Sequence, residues 1–172
     1  LLGVKMNNYP KPLIIDCDPG VDDAAALFLA LSNKNVDIRA ITTIFGNVGL
    51  QQTTINALKI LEVAGRKDIP VFRGVEKTFD HRSPIDSKNV HGDDGLGNNF
   101  FSEPNTDQLM DQHAVLATID LVNKYEGLLT YVALGRLTNL ALAISLDPAI
   151  VDKIKEVVVM GGAITVSYTH LT

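Results

Sequence analysis

The chain alternates short apolar runs with longer stretches whose apolar residues recur every three or four positions. "PLII" (Pro12–Ile15) is uninterrupted and bounded by Pro and Asp, which predicts a buried strand. "DDAAALFLALSN" (Asp22–Asn33) is rich in helix formers and sets Ala24, Leu27, Phe28 and Leu31 on one stripe. β-branched and apolar residues fill Val36–Asn47, a second strand that stops at Gly46. In "QQTTINALKILEVAG" Ile55, Leu58 and Leu61 share a helical face, and Gly65 is the expected C-cap. A third strand is expected at Pro70–Gly74. The rhythm then resumes with a helix at Ala114–Tyr125, a strand at Leu129–Leu134 and a helix at Leu137–Ser145. "DPAIVDKI" adds a helical turn, and "EVVVMGG" (Glu156–Gly162) a fifth strand.

Strands alternating with helices over the whole chain predict the α/β class: an open, mostly parallel, Rossmann-like sheet with helices on both faces. Between Val75 and Asn105 the pattern lapses, with Pro84, Pro104 and several glycines. Loops this long are commonly functional or disordered. The ends break the pattern too. Residues 1–11 read as a disordered or non-native leader, with Met6 an alternative start, and residues 12–164 as the domain. The tail 165–172, within "ITVSYTHLT", supplies no helix to cover the fifth strand, so a truncated or chimeric end is expected.

A length of 172 residues allows one domain with a sizeable core. The net charge of −5, with no Lys/Arg cluster, argues against a nucleic-acid partner. No apolar run is long enough to span a membrane, and "LLGVKMNNYP" is too short and polar for a secretory signal. Cys17 is the single cysteine, which excludes an internal disulfide and suits a reducing, cytoplasmic setting. It is expected to be a packed thiol facing away from the acids beside it.

Those acids carry the candidate chemistry. Asp16, Asp18, Asp22 and Asp23 fall within "DCDPGVDD", directly after the first strand. Strand alternation turns Asp16 and Asp18 the same way, Pro19 and Gly20 turn the backbone, and Asp22 and Asp23 enter the first turn of a helix. All four can meet at the carboxyl edge of the sheet, where open α/β folds bind ligands. Clustered carboxylates need a cation, and oxygen donors without Cys or His favour calcium or magnesium over zinc. Read blandly, Asp22 is a helix cap and Asp23 a solvated first-turn acid. That leaves Asp16 and Asp18 unexplained.

"DCDPGVDDAAAL" closely resembles the signature of the inosine/uridine-preferring nucleoside hydrolase family. The resemblance continues in order through "AITTIFGNV" (Ala40–Val48), "VHGDDGLG" (Val90–Gly97), "ALGRLTNLALAI" (Ala133–Ile144) and "EVVVMGGAI" (Glu156–Ile164). It implies hydrolysis of the N-glycosidic bond of a small-molecule nucleoside to free base and ribose, with one Ca²⁺. It further implies Asp18 as calcium ligand and general base on a calcium-bound water, and Asp23 as bidentate ligand. Asp16 belongs to the metal group, and so does Leu134 through its backbone carbonyl. Asp22 and Asn47 would contact the ribose, Met160 would line the sugar pocket and His91 would line the active site without being the main acid. The strand order 3-2-1-4-5 would gather these positions from neighbouring strand ends. The resemblance also implies a homo-oligomeric parent, a dimer or tetramer.

The resemblance departs from the family at two places. Arg136 stands where relatives carry proline, and the family's second half, with a later asparagine–glutamate block and a histidine–aspartate pair, has no counterpart in residues 1–172. Weak or absent activity of this chain is therefore expected. Two rival readings are a haloacid-dehalogenase-like Mg²⁺ phosphatase with Asp16 as nucleophile, and a non-catalytic ribose- or nucleoside-binding module. Asp93 and Asp94 read as turn formers, and Thr138 and Asn139 as a helix cap with no part in the site. His113 reads as a helix-surface residue, while His81 and His170 have no constellation around them.

Overall fold

The first strand, β1 (Lys11–Cys17), forms because alternating apolar residues can be buried on both of its faces. The computed structural model describes residues 10–79, 87–99 and 101–161. The tail 165–172, His81, His170 and the first nine residues of the expected leader lie outside them, whereas Lys11 opens β1. Helix α1 (Val21–Ser32), β2 (Val36–Thr43), α2 (Leu50–Val63) and β3 (Val71–Arg73) follow in turn. Then come α3 (Lys88–His91), β4 (Leu109–Met110), α4 (Ala114–Lys124), β5 (Thr130–Ala133), α5 (Thr138–Leu146), α6 (Ile150–Lys153) and β6 (Glu156–Val159).

All five strand pairings are parallel, and the sheet order is β4-β3-β2-β1-β5-β6. The five expected strands take the expected order. The sheet adds β4 beyond β3, and two residues are too few to carry a period of their own. The second strand ends at Thr43 rather than Asn47, because the chain leaves the ladder to build the turn beside Asp18.

Helices cover both faces. Ile15, Cys17, Ile41 and Val71 pack with Leu27, Leu58 and Leu61 of α1 and α2. Ile14, Ala40 and Tyr131 pack with Val115, Leu140 and Ile150 of α4, α5 and α6. Burial of each such side chain contributes about 2 kcal/mol. The C-cap of α2 is Ala64, and Gly65, the expected cap, is the left-handed residue just after it: Arg66 N–H donates to Leu61 O and Gly65 N–H to Glu62 O, closing the helix in a Schellman turn. Strand β6 is the far edge, and Val157, Val158 and Val159 remain 43–45% exposed there. No helix among the described residues is long and apolar enough to cross a membrane.

Candidate active site

The carboxyl ends of β1, β2 and β5 meet because β1 lies between the other two, with Asp16 opposite both Thr42 and Ala133. A crevice of about 300 Å³ opens above them, lined by Asp18, Asp22, Asn47, Leu134, Arg136 and Met160, with Gly46, Gly135 and Ser87 between. Five of the expected site residues thus share one concavity: Asp18, Asp22, Asn47, Leu134 and Met160.

Asp18 is 8% exposed, and its Oδ2 accepts the Asn47 backbone N–H at 2.8 Å. The Asn47 side-chain amide donates to Asp18 O at 3.0 Å and to Asp23 Oδ2 at 3.4 Å. Its carbonyl oxygen has no partner among the described residues. Two glycines allow this packing. A Cβ on Gly46 would overlap the Asp18 carboxylate outright, and one on Gly135 would lie 2.7 Å from Asp18 Oδ1. The sequence marks Gly46 only as the stop of the second strand and gives no sign of Gly135, which sits just past the predicted strand Leu129–Leu134; close backbone approach calls for glycine at both.

Asp23 differs from the solvated acid of the bland reading, being 2% exposed. Gly20 is the N-cap of α1, and its N–H donates to Asp23 Oδ2 at 3.2 Å. Asp22 is the exposed member, its side chain 59% accessible.

Asp16 sits behind the crevice, fully buried. Its Oδ1 accepts Thr42 Oγ1–H at 2.6 Å and Asn139 Nδ2–H at 2.8 Å, while its backbone oxygen accepts the N–H groups of Leu134 and Gly135. Asn139 is buried in the first turn of α5, where Leu137 is the N-cap, so neither Thr138 nor Asn139 is the cap the sequence suggested. It also donates to Thr43 O and accepts from Val75 N–H, so one amide ties β1, β2 and the turn after β3. The sequence offered no signal for this beyond an Asn near a helix start.

His91 is 9% exposed at the end of α3, and its Nδ1 accepts the Val21 N–H at 3.2 Å. It lies 3.8 Å from Asp22 Oδ1. It packs beyond Gly20 from Asn47, since a Cβ on Gly20 would lie 2.7 Å from Asn47 Nδ2 and 2.8 Å from His91 Nδ1. It is not among the residues lining the crevice. Asp94 forms a turn, its Oδ1 accepting from Leu96 and Asn98 N–H, and Asn56 Nδ2 donates both to Asp94 O and to Pro19 O. Cys17 is a packed thiol on the α1–α2 face, and burial pushes its pKa well above the usual range. His113 is an N-cap, accepting Val115 N–H, rather than a residue within the helix.

The carboxyls are short of compensating charge. Burial raises Asp18 to about 7, helped by the charge of Asp23 and opposed by the Asn47 N–H and Arg136. It also raises Asp16 and Asp23 to about 6, against the hydrogen bonds each accepts. Asp23 Oδ1 is buried without a hydrogen-bond partner, and so is Asp16 Oδ2 by strict geometry, although the Tyr131 hydroxyl lies close enough to bear on the Asp16 carboxyl. Orphaned carboxylate oxygens in an all-oxygen cluster fit a hard divalent cation. Among the described residues no three acid, His or Cys side chains already converge as a ligand set. Asp16 Oδ1 and Asp18 Oδ2 are held by Thr42, Asn139 and Asn47 instead.

Residues 13–170 match the family described as inosine-uridine preferring nucleoside hydrolase. The chain belongs to that family. A probable uridine nucleosidase 2 of Arabidopsis thaliana is 46% identical over 158 residues, covering 91% of this chain and 49% of the plant protein. The inosine-uridine preferring nucleoside hydrolase of Leishmania major is 43% identical over 154 residues, covering 89% and 49%. Among solved structures, the plant nucleoside hydrolase PpNRh1 superposes with a TM-score of 0.85 at 44% identity, over 90% of this chain and 48% of that one. The chain spans about half the length of the curated relatives it matches. Membership in the nucleoside hydrolase family displaces the phosphatase reading, which also requires an accessible Asp16 nucleophile where the structure has a fully buried side chain.

Proposed function

We propose that this segment forms the sugar- and cation-holding part of a ribonucleoside hydrolase, which adds water across an N-glycosidic bond to give free base and ribose. The observation that carries the reading is Asp18, fixed by the Asn47 N–H at the floor of a carboxylate-lined crevice. Asp18 is the general base, taking the proton of the attacking water, with its carboxylate fixed by the Asn47 N–H. Asp22, exposed at the rim, accepts from a ribose hydroxyl, the Asn47 carbonyl takes another polar sugar group, and Met160 gives the sugar an apolar wall. Loss of the base leaves an oxocarbenium-like sugar, whose positive charge the acidic floor stabilises.

Asp18, Asp23 and the Leu134 carbonyl would hold a divalent ion, with Asp16 adding charge behind them through its Oδ2. The donor chemistry favours Ca²⁺, which when bound orients a diol and offsets the clustered carboxylates. Slow turnover by this chain is expected, since it spans about half the length of the curated relatives it matches. The buried lone thiol of Cys17 is compatible with a cytoplasmic setting.

The test is release of reducing sugar from uridine and inosine by the purified chain, with Ca²⁺ or chelator, beside Asp18→Asn. The variant should lose about 100-fold or more of whatever rate the chain has. Undiminished turnover in Asp18→Asn would remove the reading. Calcium-dependent ribose binding without any turnover would favour the non-catalytic alternative.

A further inference from the structure

A groove of about 250 Å³ that shares no lining residue with the crevice lies between Val21 and Phe28 of α1, Lys59 and Val63 of α2, and Leu96 and Phe101 of the connecting loop. Its walls are apolar and open to solvent: Val21 is 49% exposed, Phe28 40%, Val63 64% and Phe101 47%. Lys59 is the exception. It is 8% exposed, lines the groove, and has no hydrogen bond or ion pair with any described residue. Lysine is seldom this buried without a partner, and its ammonium is the one charge among the apolar residues that line the groove.

We propose that this groove binds a small organic carboxylate with an apolar body, an aryl- or alkyl-carboxylic acid, its carboxylate on Lys59 and its body between Phe28 and Phe101. The charge and the walls together select that class. A single lining cation suits a monoanion rather than a phosphate ester. Asn99, the other polar residue lining the groove, has its amide N–H engaged with Leu96 O at 2.6 Å. The apolar area of two aromatic rings would be left uncovered by a purely polar anion. The site is separate from the carboxylate crevice and stands whether or not the hydrolase reading holds.

Calorimetric titration of the full chain with 3-phenylpropionate and with its neutral amide tests this without any substitution. The acid should bind at least about tenfold more tightly than the amide. Lys59→Met should abolish that difference while keeping the circular dichroism spectrum, and Phe28→Ala should weaken both ligands. Equal affinity for acid and amide, no binding of the acid at about 10 mM, or unchanged preference in Lys59→Met would each overturn the proposal. Sedimentation showing a dimer that Phe28→Glu dissolves would assign the groove to a second copy and overturn it as well.

Discussion

Gly46 approaches Asp18 so closely that the space for a side chain on one is taken by the carboxylate of the other. The turn that ends β2 thus does two things at once, bringing the Asn47 N–H onto Asp18 Oδ2 and closing over that carboxylate. Gly46→Ala should push Asp18 aside by about an ångström while leaving the core untouched. We expect loss of about 100-fold in any hydrolysis and a matching loss of Ca²⁺ affinity, with an unchanged circular dichroism spectrum. Wild-type calcium titration in this variant would show that the Asp18 position is not critical.

Asn139 holds Asp16 from 123 positions away, and it does so with no access to water. Asn139→Ala leaves Val75 N–H without its partner, Thr43 O with the Gly74 N–H alone and Asp16 Oδ1 with Thr42 alone. The expected cost is about 3 kcal/mol in urea denaturation. Asn139→Asp would face one carboxyl with another, so its deficit should be larger at neutral than at acid pH. A loss under about 1 kcal/mol in the alanine variant would show the bridge to be dispensable.

The acids at the end of β1 were legible because strand alternation, a Pro-Gly turn and a helix start each leave a local mark. So was the sheet order of the five longer strands, which follows from parallel alternation with helices. The partners that hold those acids were not. Thr42 reads as one β-branched strand residue among several, and Asn139 reads as part of a helix start; only the fold reveals that both meet Asp16 Oδ1. His91 shows the same limit in reverse. Its loop motif was legible, but its place behind Gly20, accepting from Val21 N–H, depends on how that loop is pinned by Asn56 to Pro19 and Asp94.

The β6 edge makes a separate prediction. Val157, Val158 and Val159 sit on a strand whose outer backbone faces no further strand among the described residues. Exposed valine-rich edges recruit other chains, and lysine on the edge is the usual defence. Val158→Lys should raise the concentration at which light scattering first detects aggregates, with little change in melting temperature. Aggregation equal to that of the unmodified chain would place the sticky surface elsewhere.

The last prediction concerns pH and cations together. Burial holds Asp18 at about 7 and Asp16 and Asp23 at about 6 in the folded chain. Unfolded, these carboxyls return to the ordinary range near 3.9. Between those values the folded state binds more protons than the unfolded one, so stability is greatest at the acid end and falls as pH rises through the folded pKa values. For Asp16 alone the span corresponds to roughly 3 kcal/mol. In chelator, the melting temperature should therefore drop from about pH 5 to about pH 8. A divalent ion that binds the ionised carboxylates should reverse the trend, raising the melting temperature more at pH 8 than at pH 5. Ca²⁺ should do so at lower concentration than Mg²⁺, since flexible, many-oxygen sites favour the larger ion. Equal stabilisation at both pH values would mean that the added ion acts away from these aspartates.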